Sequence, residues 1–405
     1  MKVSRYIGLL LIMLMSVTGC KYVEYTHHED KEKDPIRGQI VSVQTNVHLK
    51  AEDIRKAVQD TALANRVKYD VTCYKVRYKT LYGQDLIVDA DALLIVPTYG
   101  PEDTPRYAAY FHGTILPFEI AGVDTSLPSD FTGYTKSKDV LYCALPLAAA
   151  GYCVVTPDYT GYGPTSGLDH PFIYFPELAK SAVDGLQACR KVLIDRMHIG
   201  IDEKDIWLSG WSQGGGLSMY FHKMVQGVMG TPFRVKANSI LAGVFSTRHM
   251  LMDVFNNPDR IYLAIALYSW ACYAFNQFVP DMDRPFDQIF RLDIFDQVGA
   301  LLVMSTSAAE LFQDFFIQHV SNNTDEAFTT AVDECSTASG WEPHADIYLH
   351  HGTEDILVPY FNMTDAAEGL KNSGRIHTYT KDGGGHDTFV PEFMAHTIDV
   401  FEQHR

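Results

Sequence analysis

The chain has 405 residues, 46% hydrophobic and 20% charged, the proportions of a folded globular protein, which excludes a disordered, collagen-like or polytopic membrane chain. Thirty-three basic against 50 acidic residues give a formal charge of −17. So acidic a chain lacks the basic face that a phosphate backbone requires, and nucleic acid is not expected as a partner. Seven cysteines are too few for a disulfide scaffold. Length alone allows roughly two or three domains, or one enlarged α/β domain.

Lys2 and Arg5 flank the start of a short apolar run, Ile7 to Met15. It falls short of the roughly 20 apolar residues needed to span a bilayer. The run closes on Val17-Thr18-Gly19-Cys20, and small residues ahead of a cysteine resemble a bacterial lipoprotein signal. That resemblance implies cleavage before Cys20, so that residues 1–19 are a signal peptide and Cys20 carries lipid. With Lys21 next, it also implies a Gram-negative cell envelope and sorting to the outer membrane. Residues 20–38, with His27-His28-Glu29-Asp30, lack apolar periodicity and read as a flexible tether, the histidine pair being solvated rather than metal-binding. Of the remaining cysteines, Cys73 and Cys153 lie in apolar runs and read as core, while Cys143, Cys189, Cys272 and Cys335 complete a set whose pairing the sequence leaves open.

The body alternates strands and helices. Ala51–Arg66 has helical period, and Val67–Thr80 and Leu86–Pro97 are strand-like runs joined by a turn at Tyr82-Gly83-Gln84-Asp85. Arg106–Phe111 is a strand ending at His112-Gly113-Thr114. Val140–Ala150 predicts a helix, Tyr152–Thr156 a buried strand, Glu177–His198 a helix, Asp205–Ser209 a strand, Gly214–Val228 a helix and Val235–Phe245 a strand. After a break come the strand Asp346–Leu349, the helix Tyr360–Asn372, the strand Ile376–Thr380 and the helix Pro391–His404. Such alternation after an opening hairpin predicts an α/β fold, a mostly parallel sheet flanked by helices. Residues 246–344 break the rhythm. They are helical in pattern and rich in aromatics, among them Trp270, Tyr273, Phe275, Phe278, Phe286, Phe290, Phe295, Phe312, Phe315 and Phe316. They read as a helical cap inserted into a core of 39–245 and 345–405, most of those aromatics forming the cap's own interior. The pair Asp281 and Asp283 reads as a solvated turn, since further oxygen ligands at calcium-loop spacing are missing.

The chemistry points to Gly210-Trp211-Ser212-Gln213-Gly214. A serine between glycines, after a strand and before a helix, fits a sharp turn that lifts the hydroxyl out of the sheet. A serine hydroxyl is a weak nucleophile until a base takes its proton, so Ser212 calls for an acid and a histidine later in the chain. Asp355, with Glu354 as the alternative, sits in the loop after the Asp346–Leu349 strand. His386 follows Gly383-Gly384-Gly385 after the next strand, with Asp382 and Asp387 as loop residues beside it. An oxyanion would need two donors. Gln213 offers a backbone N–H next to the nucleophile, and the loop after Phe111 offers Thr114 or, alternatively, Gly113. His112 reads as a residue that supports that loop.

These four separated motifs, spread over residues 67 to 405 in this order, resemble those of α/β-hydrolases. Thr156-Pro157-Asp158-Tyr159-Thr160-Gly161-Tyr162-Gly163, the Trp-Ser-Gln-Gly-Gly elbow and the cap are more specifically similar to the secretory-lipase and carboxylesterase branch. In that branch the Asp158-Tyr159 loop borders the active site. The resemblance implies a Ser212–Asp355–His386 triad acting on carboxylic esters, through an acyl-enzyme, without metal or organic cofactor. The aromatic cap points to an apolar acyl or aryl group, and an envelope-tethered enzyme fits small-molecule or glycan-linked esters. The Gly-Trp-Ser-x-Gly-Gly elbow is also similar to prolyl-oligopeptidase-type serine peptidases, but too few residues precede Ser212 for their usual propeller. A surface lipoprotein using a catalytically inert hydrolase scaffold is the other alternative, and the complete set of three residues stands against it.

Overall fold

The computed structural model describes residues 36–405 apart from 59, 120–122, 124, 134–136, 228–231 and 281. The expected signal peptide, the lipidated Cys20 and most of the tether lie outside the described residues. Ile36–Arg405 form one compact unit.

Nine strands make one sheet: β1 (Ile40–Leu49), β2 (Val71–Tyr82), β3 (Leu86–Pro97), β4 (Arg106–Phe111), β5 (Tyr152–Pro157), β6 (Asp205–Trp211), β7 (Arg234–Leu241), β8 (Asp346–Gly352) and β9 (Ile376–Lys381), in the order β1-β2-β3-β5-β4-β6-β7-β8-β9. From β5 to β9 every pairing is parallel, while β1, β2 and β3 are joined antiparallel to one another and to β5. The central strands are apolar on both sides because helices cover both faces; every residue of β5 is buried. One face carries the helices Phe175–Lys191, Gln213–Gly227 and Phe361–Gly369, packed through Leu178, Leu186, Leu217, Phe221 and Met363. The other carries Ala51–Ala57, Leu145–Ala149 and Val390–Gln403, packed through Ile54, Leu147, Phe393, Ile398 and Phe401.

The structure departs most from the sequence reading in three places, besides β2 starting at Val71 rather than Val67 and β7 ending at Leu241 rather than Phe245. The strand β1 is extra. Two register irregularities, between Ile40 and Ser42 and between Thr45 and Val47, break the period-2 alternation by which a strand is recognised. The helix expected over Ala51–Arg66 is two helices, because the Asp60 side chain accepts from Leu63 N at 2.7 Å and starts a second one at Thr61. The helix expected to reach His198 ends its regular part at Lys191, and the chain continues as a wider turn over Val192–Arg196.

Between β7 and β8 the chain leaves the sheet for the helices Thr247–Asn256, Ile265–Phe278, Asp314–Ser321 and Glu326–Cys335, with shorter turns between them. Exit and return are stapled at one point. Thr337 N and Ala338 N both donate to Phe245 O, at 2.8 and 3.1 Å, and Asn362 Oδ1 accepts from Phe245 N and Ser246 N, at 3.0 and 2.9 Å. Inside the insertion, Phe255 meets the rings of Phe312, Phe316 and Phe328 with centroids 5.1 to 6.3 Å apart, and Phe290 stacks onto the same group through Phe312. Phe295 and Phe315 instead face solvent, 79% and 47% exposed. All six cysteines from Cys73 onward are buried and none forms a disulfide. Phe255 is 1% exposed at the centre of the ring cluster. Phe255→Ala should lower stability by about 3–5 kcal/mol, read by denaturant unfolding, while leaving the sheet's far-ultraviolet signal intact in the folded protein.

Candidate active site

Strand β6 runs apolar and buried to Trp211, and the helix Gln213–Gly227 begins two residues later. The residue between them, Ser212, has φ +59°, the left-handed region that non-glycine residues rarely occupy. Its N–H donates to Leu241 O of β7 at 3.0 Å, and its C=O accepts from Gly216 N at 3.0 Å, so sheet and helix both hold the turn. A Cβ on Gly214 would lie 2.0 Å from Phe111 O and 2.3 Å from His112 O, and one on Gly210 would lie 2.4 Å from Gly214 O. Both positions therefore exclude any side chain.

The loops after β8 and β9 meet beside the elbow. Asp355 Oδ2 accepts from His386 Nδ1 at 2.6 Å. A carboxylate only accepts, so Nδ1 carries the hydrogen and Nε2 is left with its lone pair. Asp355 Oδ1 accepts from the backbone N–H of Leu357 and Val358, at 2.9 and 3.0 Å. Burial alone would raise the Asp355 carboxyl, but the hydrogen bonds from His351 and His386 outweigh it and hold the group well below the usual carboxylate range. Glu354, the alternative acid, is exposed, and its N–H is spent on Gly384 O. Asp382 and Asp387 are exposed loop residues, bonded to Thr353 and Lys138. Trp211 Nε1 donates to His386 O at 3.1 Å and ties the histidine loop to the elbow.

Opposite lies the loop after β4. Gly113 N donates to Asp139 Oδ1 at 3.1 Å, and Tyr110 OH donates to the same oxygen at 2.7 Å. The Gly113 N–H is thus engaged, which leaves Thr114 as the donor this loop offers. Asp139 escaped the sequence reading; it stands before a helix, with no motif around it. His112 is wholly buried, stacked on Tyr159 at 4.2 Å, its Nδ1 2.7 Å from Gly113 O and its Nε2 3.3 Å from Asp158 O. Burial pushes its pKa below the ordinary imidazole value. The Gln213 side chain turns away from the reaction centre: its amide nitrogen lies 2.9 Å from His170 Nε2, and His170 Nδ1 lies 2.8 Å from Thr160 O. Burial lowers the His170 pKa to about 4, so this ring is neutral, donating to Thr160 and accepting from Gln213.

Ser212, His386, Gln213, Gly113 and Thr114 all line one cavity of about 330 Å³. Phe172, Ile173 and Val244 of the core and Met250, Leu251, Leu267, Tyr268 and Ala271 of the insertion make an apolar wall. Thr114, Ser126, Ser137, Lys138 and Asp139 make a polar one. None of the ten insertion aromatics singled out from the sequence lines the cavity; Trp270 stands behind the wall, stacked on Phe172 at 4.2 Å. Among the described residues no group of three or more His, Cys, Asp or Glu is placed to hold a metal, and Asp281 lies outside them.

The fold and the site define a class, an α/β hydrolase, and the family model described as "Alpha/beta hydrolase family" matches residues 86–397. The chain belongs to that family. No curated protein matches the sequence. Among solved structures it is similar to the rice cell wall degrading esterase LipA from Xanthomonas oryzae, with TM-score 0.72 and 18% identity over 92% of this chain and 100% of that one. It is equally similar to a Legionella pneumophila protein, with TM-score 0.72 and 23% identity over 90% and 98% of the two chains. Candida antarctica lipase A follows, with TM-score 0.57 and 16% identity over 90% and 83%.

Asp158 closes the turn after β5 without contact to solvent. Its Oδ1 accepts from Ser129 N at 2.9 Å, and its Oδ2 is buried with no partner among the described residues. Burial raises its pKa to about 7. In the unfolded chain the same carboxyl ionises near 4. The protonated form therefore stabilises the fold fully below pH 4, and that contribution is lost as pH rises from about 4 to about 7. Asp158→Asn should remain neutral throughout, so its melting temperature should gain on the wild type across this window in calorimetry. Parallel curves from pH 4 to 8 would show that the group does not titrate there.

Proposed function

We propose that the protein is a serine hydrolase of carboxylic esters, with Ser212 as nucleophile, His386 as base and Asp355 as orienting acid. One observation carries this reading: a left-handed Ser212 and a His386 whose Nδ1 is fixed on Asp355 open onto the same cavity. His386 Nε2, held as the unprotonated nitrogen, takes the proton of Ser212 Oγ as that oxygen attacks the ester carbonyl. The carbonyl oxygen gains the negative charge, for which the N–H groups of Gln213 and Thr114 are the donors. Collapse breaks the bond to the alcohol, which leaves with the proton from His386. Water then attacks the acyl-enzyme, giving its proton to the same nitrogen and releasing acid and Ser212. Asp355 stabilises the imidazolium and keeps its tautomer.

The wall chemistry supports the substrate class. A largely aliphatic wall suits an apolar acyl or aryl group, and the polar wall around Lys138 and Asp139 suits the alcohol portion of a small-molecule or glycan-linked ester. The degradation of rice cell wall belongs to LipA, and by analogy it favours the glycan-linked form for this chain. Tethering through Cys20 to a cell envelope, in the outer membrane of a Gram-negative cell, is part of the same proposal and rests on the Val17–Cys20 sequence. Metabolic labelling with an alkynyl fatty acid should mark the wild type and not Cys20→Ala.

A fluorophosphonate probe should label the wild type and leave Ser212→Ala unlabelled. p-Nitrophenyl esters should be hydrolysed, with activity falling at least 10³-fold in Ser212→Ala and His386→Ala. Equal labelling of Ser212→Ala would overturn the nucleophile. Cleavage of a prolyl amide without cleavage of any ester would make the enzyme a peptidase.

A further inference from the structure

The acid of the dyad is held by two histidines. His351, the penultimate residue of β8, has its Nε2 3.2 Å from Asp355 Oδ2, the same oxygen that takes His386 Nδ1. The same Nε2 lies 2.8 Å from Val358 O. Both neighbours are acceptors, and a lone pair facing two oxygens would be repelled, so Nε2 carries the hydrogen, which bonds Val358 O and faces Asp355 Oδ2 as a longer second acceptor. Nδ1 is buried without a partner among the described residues, and the ring as a whole is 0% exposed. Asp355 accordingly has four donors, two backbone N–H groups on Oδ1 and two imidazoles on Oδ2.

We propose that His351 is a positioning residue of the reaction: it fixes the rotation of the Asp355 carboxylate and draws charge from the oxygen that orients His386. The strand places it there. Residues four apart, at the end of β8 and in the turn after it, are brought face to face by the Oδ1 bonds to Leu357 and Val358, which curl the turn back over the strand end. Without His351, Oδ2 faces His386 alone and carries more charge. The imidazolium is then held more strongly, and the base is available only at higher pH. The carboxylate also loses one of the bonds that set its orientation. The idea rests on the assignment of Ser212, His386 and Asp355 given above.

The test is the rate of fluorophosphonate labelling at Ser212 across pH, which reads nucleophile activation without choosing an ester. His351→Phe and His351→Leu remove the donor at two different volumes, and His351→Gln keeps an N–H that reaches toward Asp355. The donor-free variants should label about tenfold slower at the plateau, with the acid limb about half a pH unit higher. His351→Gln should stay within about twofold of the wild type, with its limb unmoved. Wild-type rates and limb in the folded donor-free variants would overturn the inference, as would a His351→Gln as slow as His351→Phe, which would make the side chain a packing element only. A wild type that does not label overturns the assignment of Ser212 itself, and this inference with it, so the two failures are told apart.

Discussion

Between the end of β4 and the elbow after β6 there is no room for a methyl group. The carbonyl oxygens of Phe111 and His112 would come within 2.3 Å of any Cβ on Gly214. This close approach makes the turn at Ser212 and the loop after β4 one rigid piece. Ser212 occupies a backbone conformation that costs of order 1–2 kcal/mol for a side-chain-bearing residue. It is held there by a sheet bond to Leu241 O and by the helix that starts at Gln213. The neighbouring loop is set from its other side by Asp139 on Gly113 N and by His112 stacked on Tyr159. Tyr159 itself has φ +69° and donates its hydroxyl to His112 O, so the turns after β5 and β6 carry strained residues that brace the same loop.

The second rigid piece is electrostatic. A carboxylate taken out of water is costly unless every lone pair finds a donor, and Asp355 finds four. Its loop and the His386 loop are pressed together as the elbow is: a Cβ on Gly352 would lie 2.2 Å from Gly384 O. Parallel strands explain why these pieces converge. β4, β6, β8 and β9 all end at the same edge of the sheet, so residues 112, 212, 355 and 386 arrive together although most of the chain separates them.

What was legible in the sequence follows from the same physics. Buried parallel strands are continuous apolar runs, and β4 and β5 stand within a residue of where their patterns place them. The elbow and the histidine loop announce themselves because tight turns need glycine. β1 was illegible because an edge strand with two irregularities buries too little of either face to impose a period. Asp139 was illegible because its partners are a backbone N–H and a tyrosine hydroxyl, reached only through the tertiary fold. Gly113 differs from Thr114 by a bond its N–H has already made, and Asp355 from Glu354 by its burial and its contact with His386, and spacing carries no record of either.

The insertion shapes one wall of the cavity. Its aromatic rings, conspicuous in the sequence, pack on one another, and the cavity receives instead the aliphatic side of the two helices nearest the sheet, at Met250, Leu251, Leu267 and Ala271, with Tyr268. Those rings are continuous with the core of the sheet, through Trp270 on Phe172 and Phe275 beside Tyr174. Both of its ends are fastened to Phe245, one residue past Val244 in the cavity wall. Further ties run from Tyr273 OH to Asp169 at 3.0 Å and from His170 N to Gln297 at 3.0 Å. The second of these reaches the ring that holds the Gln213 side chain. Changes of residue on the cavity side of Thr247–Asn256 and Ile265–Phe278 therefore alter the shape of the cavity, while the bonds that hold Ser212, Asp355 and His386 come, among the described residues, from β7, the helix Gln213–Gly227 and the loops after β8 and β9.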